Sequence, residues 1–471
     1  MNNFKTSMMV ASALIAGSVF TACSNDDGPS YSSTAVTNTE LKTILTGKGY
    51  EFNEQGNLLL NDLANNTTSL DLSGTKLSDF SGLTILPNLT EVNLSNNEYG
   101  PIFDFSTLPE QITGVDLTGN KVYDFEGLVD AKVENDEVKA TILHKLTKLY
   151  LPETAKYNVE DLMPFYTQNK ADGTTVDMQM AGADGKLQAY TTLREIPDEY
   201  FRTYLKTKFA SLFANDTQID ISKPMGLEES GKPITLNNTT QFANMSKIES
   251  IEGIEYFINN PYYAPFYISI TYNTPFNIYY LAPRNNIKGL LFSSISFSNG
   301  MDLSKATSLS NLQIKNNDDL IELDLSKTLI SNQEISAFDS NVGNLLKIEN
   351  CTNLKSLIFP SAPVGITSQF ELINLPSLVN LNLDGIKALE LLVLLKLNNC
   401  SITFPNLQYR FTTSDKQLIS VSDGGKILFA ISEDVFNMDA THSFIQKYKN
   451  NLTDRWILYR SKGAYMWSSN I

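Results

Sequence analysis

Side chains able to do covalent or acid–base chemistry are few in this chain and far apart. Its two histidines, His144 and His442, stand at positions too distant in sequence to form a local motif. His144 lies in Leu143-His-Lys-Leu146, a connecting arm where a surface or packing role is expected. Cys351 and Cys400 fit buried small residues better than a disulfide, a metal pair or a nucleophile. No Gly-rich phosphate loop, His/Cys metal spacing or nucleophile elbow occurs. The 52 Asp and Glu offer many chance carboxylate pairs of the glycosidase kind. Such pairs work in the groove of a barrel or sandwich, and the patterning here points to neither. Asp216 and Asp220 lack the ligand spacing and central Gly of a calcium loop. The sequence therefore predicts no enzyme, no cofactor and no metal site.

Binding must then rest on unreactive side chains. Tyr256 to Tyr280 carries ten aromatics in 25 residues, punctuated by Pro261, Pro265 and Pro275. Tyrosine offers a flat apolar face and a polar tip with few rotors to freeze, as a sugar- or peptide-binding patch requires. Tyr262, Tyr263, Tyr267, Tyr272 and Tyr279 are the candidates. The competing expectation is that these rings fill the interior in place of Leu. Rings exposed on one wall favour a glycan; buried rings favour a protein partner.

Lys5 precedes a 13-residue apolar run, Met8 to Phe20, which ends at Phe20-Thr-Ala22-Cys23. The run is too short to span a bilayer as a helix and fits the apolar region of a secretory signal. Ala22-Cys23 resembles the lipobox of bacterial lipoproteins, which implies cleavage after residue 22 and acylation of Cys23. Ser24-Asn-Asp26-Asp27-Gly28 resembles the acidic signal that exports some lipoproteins to the outer face of the outer membrane. A flexible tether is expected over 23–39, with contact to the membrane only through the lipid anchor. The formal charge of −16 disfavours nucleic acid or an anionic membrane surface as a partner, because neither phosphate array would meet a net attractive field, and no nucleic acid is expected.

The elements that would position a binding face announce themselves by repetition. Leu89-Thr-Glu-Val92-Asn-Leu94-Ser-Asn-Asn97 and Ile112-Thr-Gly-Val115-Asp-Leu117-Thr-Gly-Asn120 share one frame, 23 residues apart. Thr67-Thr-Ser-Leu70-Asp-Leu72 keeps it one turn earlier, and Leu146-Thr-Lys-Leu149-Tyr-Leu151 continues it after an 11-residue excess. This is similar to the leucine-rich-repeat signature, a short strand followed by a buried Asn that turns the chain. The excess is expected in the polar segment Asp130 to Ala140. Residues 40–130 resemble leucine-rich surface lipoproteins of gut anaerobes, a resemblance that carries no assigned activity. It implies an α/β fold of leucine-rich-repeat solenoids, with short parallel strands, helical N-terminal caps and a mixed C-terminal cap.

Two modules are expected, a first over 40–180 and a second over 190–402. Thr39-Glu-Leu41-Lys-Thr-Ile44-Leu45 reads as a helix over one open end. Pro197 to Phe213 gives a longer one with a wide apolar stripe. Ile248-Glu-Ser-Ile251-Glu-Gly-Ile254 after it resembles the opening of internalin-type capped repeats. Ile295-Ser-Phe297, Leu312-Gln-Ile314, Leu323-Asp-Leu325, Leu346-Lys-Ile348, Leu357-Ile-Phe359, Leu381-Asn-Leu383 and Leu395-Lys-Leu397 follow at irregular spacing, and 403–471 reads as a terminal cap. Residues between the apolar anchors are expected on a concave binding face: Asp71, Asn93, Asp116 and Tyr150, then Gln313, Asp324, Lys347, Asn382 and Lys396. The function expected is recognition of a protein or a glycan at the cell surface, or else a purely structural envelope or adhesion role.

Overall fold

A computed structural model describes residues 28–135, 137–225, 232–264, 266–330, 332–333, 343–360, 365–398, 400–412, 417–452, 457–460 and 463–466. The signal segment 1–22 and Cys23 lie outside these residues. Contacts divide the chain into two units. The smaller comprises the chain up to Thr68 together with Gly82–Asn88; the larger comprises Ser69–Ser81 and everything from Leu89 onward.

In the smaller unit, Tyr31–Ala35 is not tether but a strand, antiparallel to Asn57–Leu59. The helix Thr39–Gly47 forms as its apolar spacing predicts, with Leu41 and Leu45 buried. Its cap is Asn38 rather than Thr39: the Asn38 side chain accepts the backbone N–H of Glu40 and Leu41, two donors the first turn cannot satisfy itself.

The larger unit holds two main sheets. In the first, Ser69–Asp71, Glu91–Asn93, Gly114–Asp116, Lys148–Leu151 and Asp177–Ala181 run parallel, and Leu187–Ala189 closes the edge antiparallel. The second has twelve strands. It runs in parallel from Ile234–Leu236 through Phe266–Ile270, Ile287–Ser293, Asn311–Lys315, Leu345–Glu349, Gly365–Ile373, Ile386–Leu395 and Leu428–Ser432 to Ile457–Arg460. In strands such as Lys148–Leu151, Asn311–Lys315 and Leu345–Glu349 buried Leu and Ile alternate with less buried polar groups, the period-two pattern of a sheet with one covered face, whereas Ile386–Leu395 is apolar at most positions and buries three in succession.

The leucine-rich-repeat solenoids expected from the repeats are not what the chain builds. It is a mixed α/β structure with many short strands in several sheets, nine of them among the described residues. The 11-residue excess forms an antiparallel hairpin, Val129–Glu134 with Glu137–Ile142. The triplets at Leu323 and Leu357, each only 11 residues beyond the triplet before it, pair with each other in a separate two-stranded sheet, Glu322–Asp324 with Ser356–Ile358, and Asn380–Asn382 pairs with Ser401–Thr403 in another. Matching apolar triplets signal strands, but a triplet does not say which neighbour its backbone will pair with.

One contiguous core runs from Tyr157 to Leu452 and includes Val159, Met163, Phe201, Phe257 and Leu312. It crosses the stretch 182–185 where a module boundary was expected. The helix observed is Glu199–Phe209, which buries Phe201, Tyr204, Leu205 and Phe209 in that core.

Candidate binding surfaces

The six-stranded sheet brings four of the expected residues into one row. Asp71 pairs in register with Asn93, Asn93 with Asp116, Asp116 with Tyr150, and Tyr150 with Gln179. None is buried, whereas their strand neighbours Leu70, Val92, Val115, Leu149 and Met178 face inward. The next row adds Glu91 and Lys148, whose ammonium and carboxylate meet at 2.9 Å, and Asp177, which accepts the Tyr150 hydroxyl at 2.7 Å. A hydrogen bond from the Gln179 amide, and then that from Tyr150, hold the Asp177 carboxyl below its ordinary value. Asp116 is less free than expected, because its carboxylate accepts both the N–H and the hydroxyl of Thr118.

The second expected set is dispersed. Gln313 and Lys347 are register partners in the twelve-stranded sheet, where Lys347 pairs with Glu371 at 2.7 Å. Asp324 and Asn382 sit on two different two-stranded sheets. Lys396 follows the end of Ile386–Leu395 in a left-handed conformation. These five residues do not form one face.

The aromatic segment mostly packs. Tyr256, Phe257, Tyr263, Phe276 and Tyr280 are buried, and Tyr262, Tyr267 and Tyr272 half-buried. A Cβ on Gly289 would stand 2.2 Å from the Tyr267 ring, so Gly at the neighbouring register position is what lets that ring lie there. Tyr279 is the exception, 45% exposed. It stacks on Tyr157 (5.6 Å between centroids, 29° between planes), which stacks in turn on Tyr256 at 5.9 Å. Tyr279, Tyr157, Tyr280 and Tyr123 line a cleft of about 460 Å³, rimmed by Glu98, Lys121, Thr154 and Asn299. Tyr123 and Tyr157 were missed as site residues because each lies in a connecting segment more than a hundred positions from Tyr279.

The side chains able to do chemistry make the following contacts. His144 is buried, with Nε2 2.7 Å from the Ile112 carbonyl. Cys351 and Cys400 are buried free thiols, and burial pushes each up to about 11. Asp216 pairs with Lys206, and Asp220 accepts the N–H and hydroxyl of Ser222.

Sequence reading also missed a buried ionic cluster. Asp124, Glu160 and Asp161 place carboxylate oxygens within 4.8 Å of one another. Cations already fill the centre. Arg284, 1% exposed, reaches Asp124 at 3.1 Å and Glu160 at 2.8 Å, and Lys305 reaches both at 2.9 Å. Asn158 donates to Asp124 and Asp161 at 2.9 Å. Burial, reinforced by Asp124 and Glu160, pushes the Asp161 carboxyl up to about 7.

No family model matches this chain, and no curated protein sequence matches it.

Proposed function

We propose that this is a lipid-tethered protein of the bacterial outer membrane that recognises a protein partner through the polar face of its six-stranded sheet, with no catalytic role. The observation that carries the reading is the unbroken row Asp71, Asn93, Asp116, Tyr150 and Gln179. Strands in a sheet lie about 4.8 Å apart, so five in register present roughly 20 Å of hydrogen-bonding groups. With Glu91 and Asp177 alongside, acid outweighs the one base, Lys148. A basic patch on the partner would meet a complementary field that speeds encounter and weakens with salt.

Export and anchoring rest on the apolar run ending at Ala22-Cys23, and the surface location on the acidic stretch after it. The resemblance of residues 40–130 to surface lipoproteins of gut anaerobes supports both. A photoreactive residue placed at Asn93 or Gln179 in living cells should form a discrete protein adduct, whereas one at the exposed Asp216 should not. Equal adducts from all three sites, or none from any, would end the sheet-face reading. Cys23→Ala should release the protein from the membrane fraction; unchanged association would end the lipoprotein reading.

A further inference from the structure

The cleft around Tyr279 uses none of the sheet-face residues and has the chemistry of a different ligand. Its platform is rigid. Tyr279 rests on Tyr157 and Tyr157 on Tyr256, each pair within 30° of parallel. The Lys156 ammonium lies 4.8 Å from the Tyr157 centroid and 5.9 Å from that of Tyr279. The Tyr279 backbone is held as well, its N–H donated to buried Glu255 at 2.8 Å and its carbonyl accepting from Asn299 at 2.9 Å. One wall is the tight loop at Gly100, where φ is +142° and an added Cβ would stand 2.5 Å from the Lys121 carbonyl oxygen. Tyr123 closes the opposite side against Tyr280.

The Tyr280 hydroxyl, on a residue 2% exposed, is enclosed beside Tyr123, so the polar groups that a ligand can reach are those of the rim. These are a matched mixture: the Glu98 carboxylate, the Lys121 ammonium, the Thr154 hydroxyl and the Asn299 amide. Opposite charges at one rim favour neither a cation nor an anion. They suit a neutral molecule carrying several donors and acceptors. The cleft volume falls in the usual range for small-molecule sites, about 300–1,000 Å³.

We infer that the Tyr279 cleft is a binding site for a neutral saccharide unit, whose C–H face lies on the Tyr279 ring while its hydroxyls meet Glu98, Lys121 and Asn299 at the rim. A pyranose has this combination of an apolar face and a hydroxylated rim. An aromatic peptide side chain could use the ring but has few groups to meet the hydrogen-bonding capacity that Glu98, Thr154 and Asn299 keep beyond their bonds to Lys76 and to the Val122 and Tyr279 carbonyls. Stacking on the accessible ring carries the attraction, so the ring matters more than its hydroxyl.

Saturation-transfer NMR on the purified chain tests this with a panel of neutral mono- and oligosaccharides: glucose, galactose, mannose, xylose, N-acetylglucosamine and their short oligomers. At least one should receive saturation. Tyr279→Ala should weaken its binding at least tenfold and Asn299→Ala several-fold, while Tyr279→Phe should stay within about threefold of the parent. Because Tyr279 is exposed, the Ala variant should keep the parent's melting temperature to within a few degrees, which separates lost binding from lost folding. No transfer to any member of the panel overturns the proposal. So does transfer undiminished by Tyr279→Ala, or a cleft that takes a tyrosine-containing peptide and no saccharide.

Discussion

Asn97 and Asn120 show how single side chains hold neighbouring turns together. The Asn97 amide donates to the Leu72 and Leu94 carbonyls and accepts the Lys76 N–H. Asn120 repeats this one strand on, donating to Leu94 and Leu117 and accepting from Asn97 and Tyr99. Asn120→Ala would strand several buried backbone groups and should cost about 1–3 kcal/mol in urea melts. Asp116→Ala, which loses only its partly buried bonds to Thr118, should cost roughly 0.5–1 kcal/mol; equal costs would mean that the turn, not the asparagine, carries the stability. Glu255 gives a pH prediction. Its burial pushes the carboxyl up to about 7, only partly opposed by N–H donors from Tyr279 and Gly253. The native state therefore binds a proton that an unfolded Glu would release near pH 4.3. The resulting stabilisation is complete below that ordinary value and is lost as pH rises through about 7. In Glu255→Gln the fall in urea midpoint across this window should be smaller, with the share of Asp161, raised in the same direction, remaining. An unchanged slope would refute the assignment.

Among the elements, the helix Glu199–Phe209 was the most legible. Its apolar stripe and the acidic residue at its start are local features that a lone sequence displays. What could not be read was the second use of Asp198. One carboxylate oxygen caps the helix through the N–H groups of Tyr200 and Phe201. The other accepts the N–H groups of Glu249 and Ser250, fifty positions further on. Asp198→Ala should therefore cost more than an ordinary cap, about 2–4 kcal/mol rather than ~1. Asp198→Asn should recover part of the loss, since its single carbonyl oxygen can serve one of the two sets. A chemical-denaturation series of the three proteins measures this ranking.

The larger unit as a whole depends on bonds that span the chain. Arg284 meets Asp124 across 160 positions, and Tyr157, Val159 and Met163 share a core with residues out to Leu452. Arg284→Met removes one of the two cations that face buried Asp124 and half-buried Glu160 and should destabilise by about 3–5 kcal/mol. Replacing Arg284 and Asp124 together by apolar residues should cost less than the single change. For the same reason a fragment of residues 190–471 should fold poorly by itself. It lacks Tyr157 and Met163 from the core and both carboxylates that face Arg284. A cooperative melt of that fragment, at the temperature of the whole chain, would restore a module boundary near Gly182–Gly185.

By itself the sequence determined the strands of the repeated triplets, the buried turn asparagines, the helices near residues 39 and 199, and the in-register positions from Asp71 to Tyr150. These follow from local periodicity, in which alternate residues face opposite sides and equal spacing puts equal positions in register. Tertiary structure alone decided the rest. Pairing assigned near-identical triplets to different sheets, so Gln313 and Lys347 parted from Asp324 and Asn382. Tertiary packing buried Tyr256, Phe257, Tyr263, Phe276 and Tyr280, half-buried Tyr262, Tyr267 and Tyr272, and left Tyr279 exposed. Tyr123 and Tyr157 became walls of one cleft, and Asp124 met Arg284, through contacts between residues that share no sequence neighbourhood. Burial and long-range charge pairing depend on which segments approach one another, and a local pattern does not carry that information.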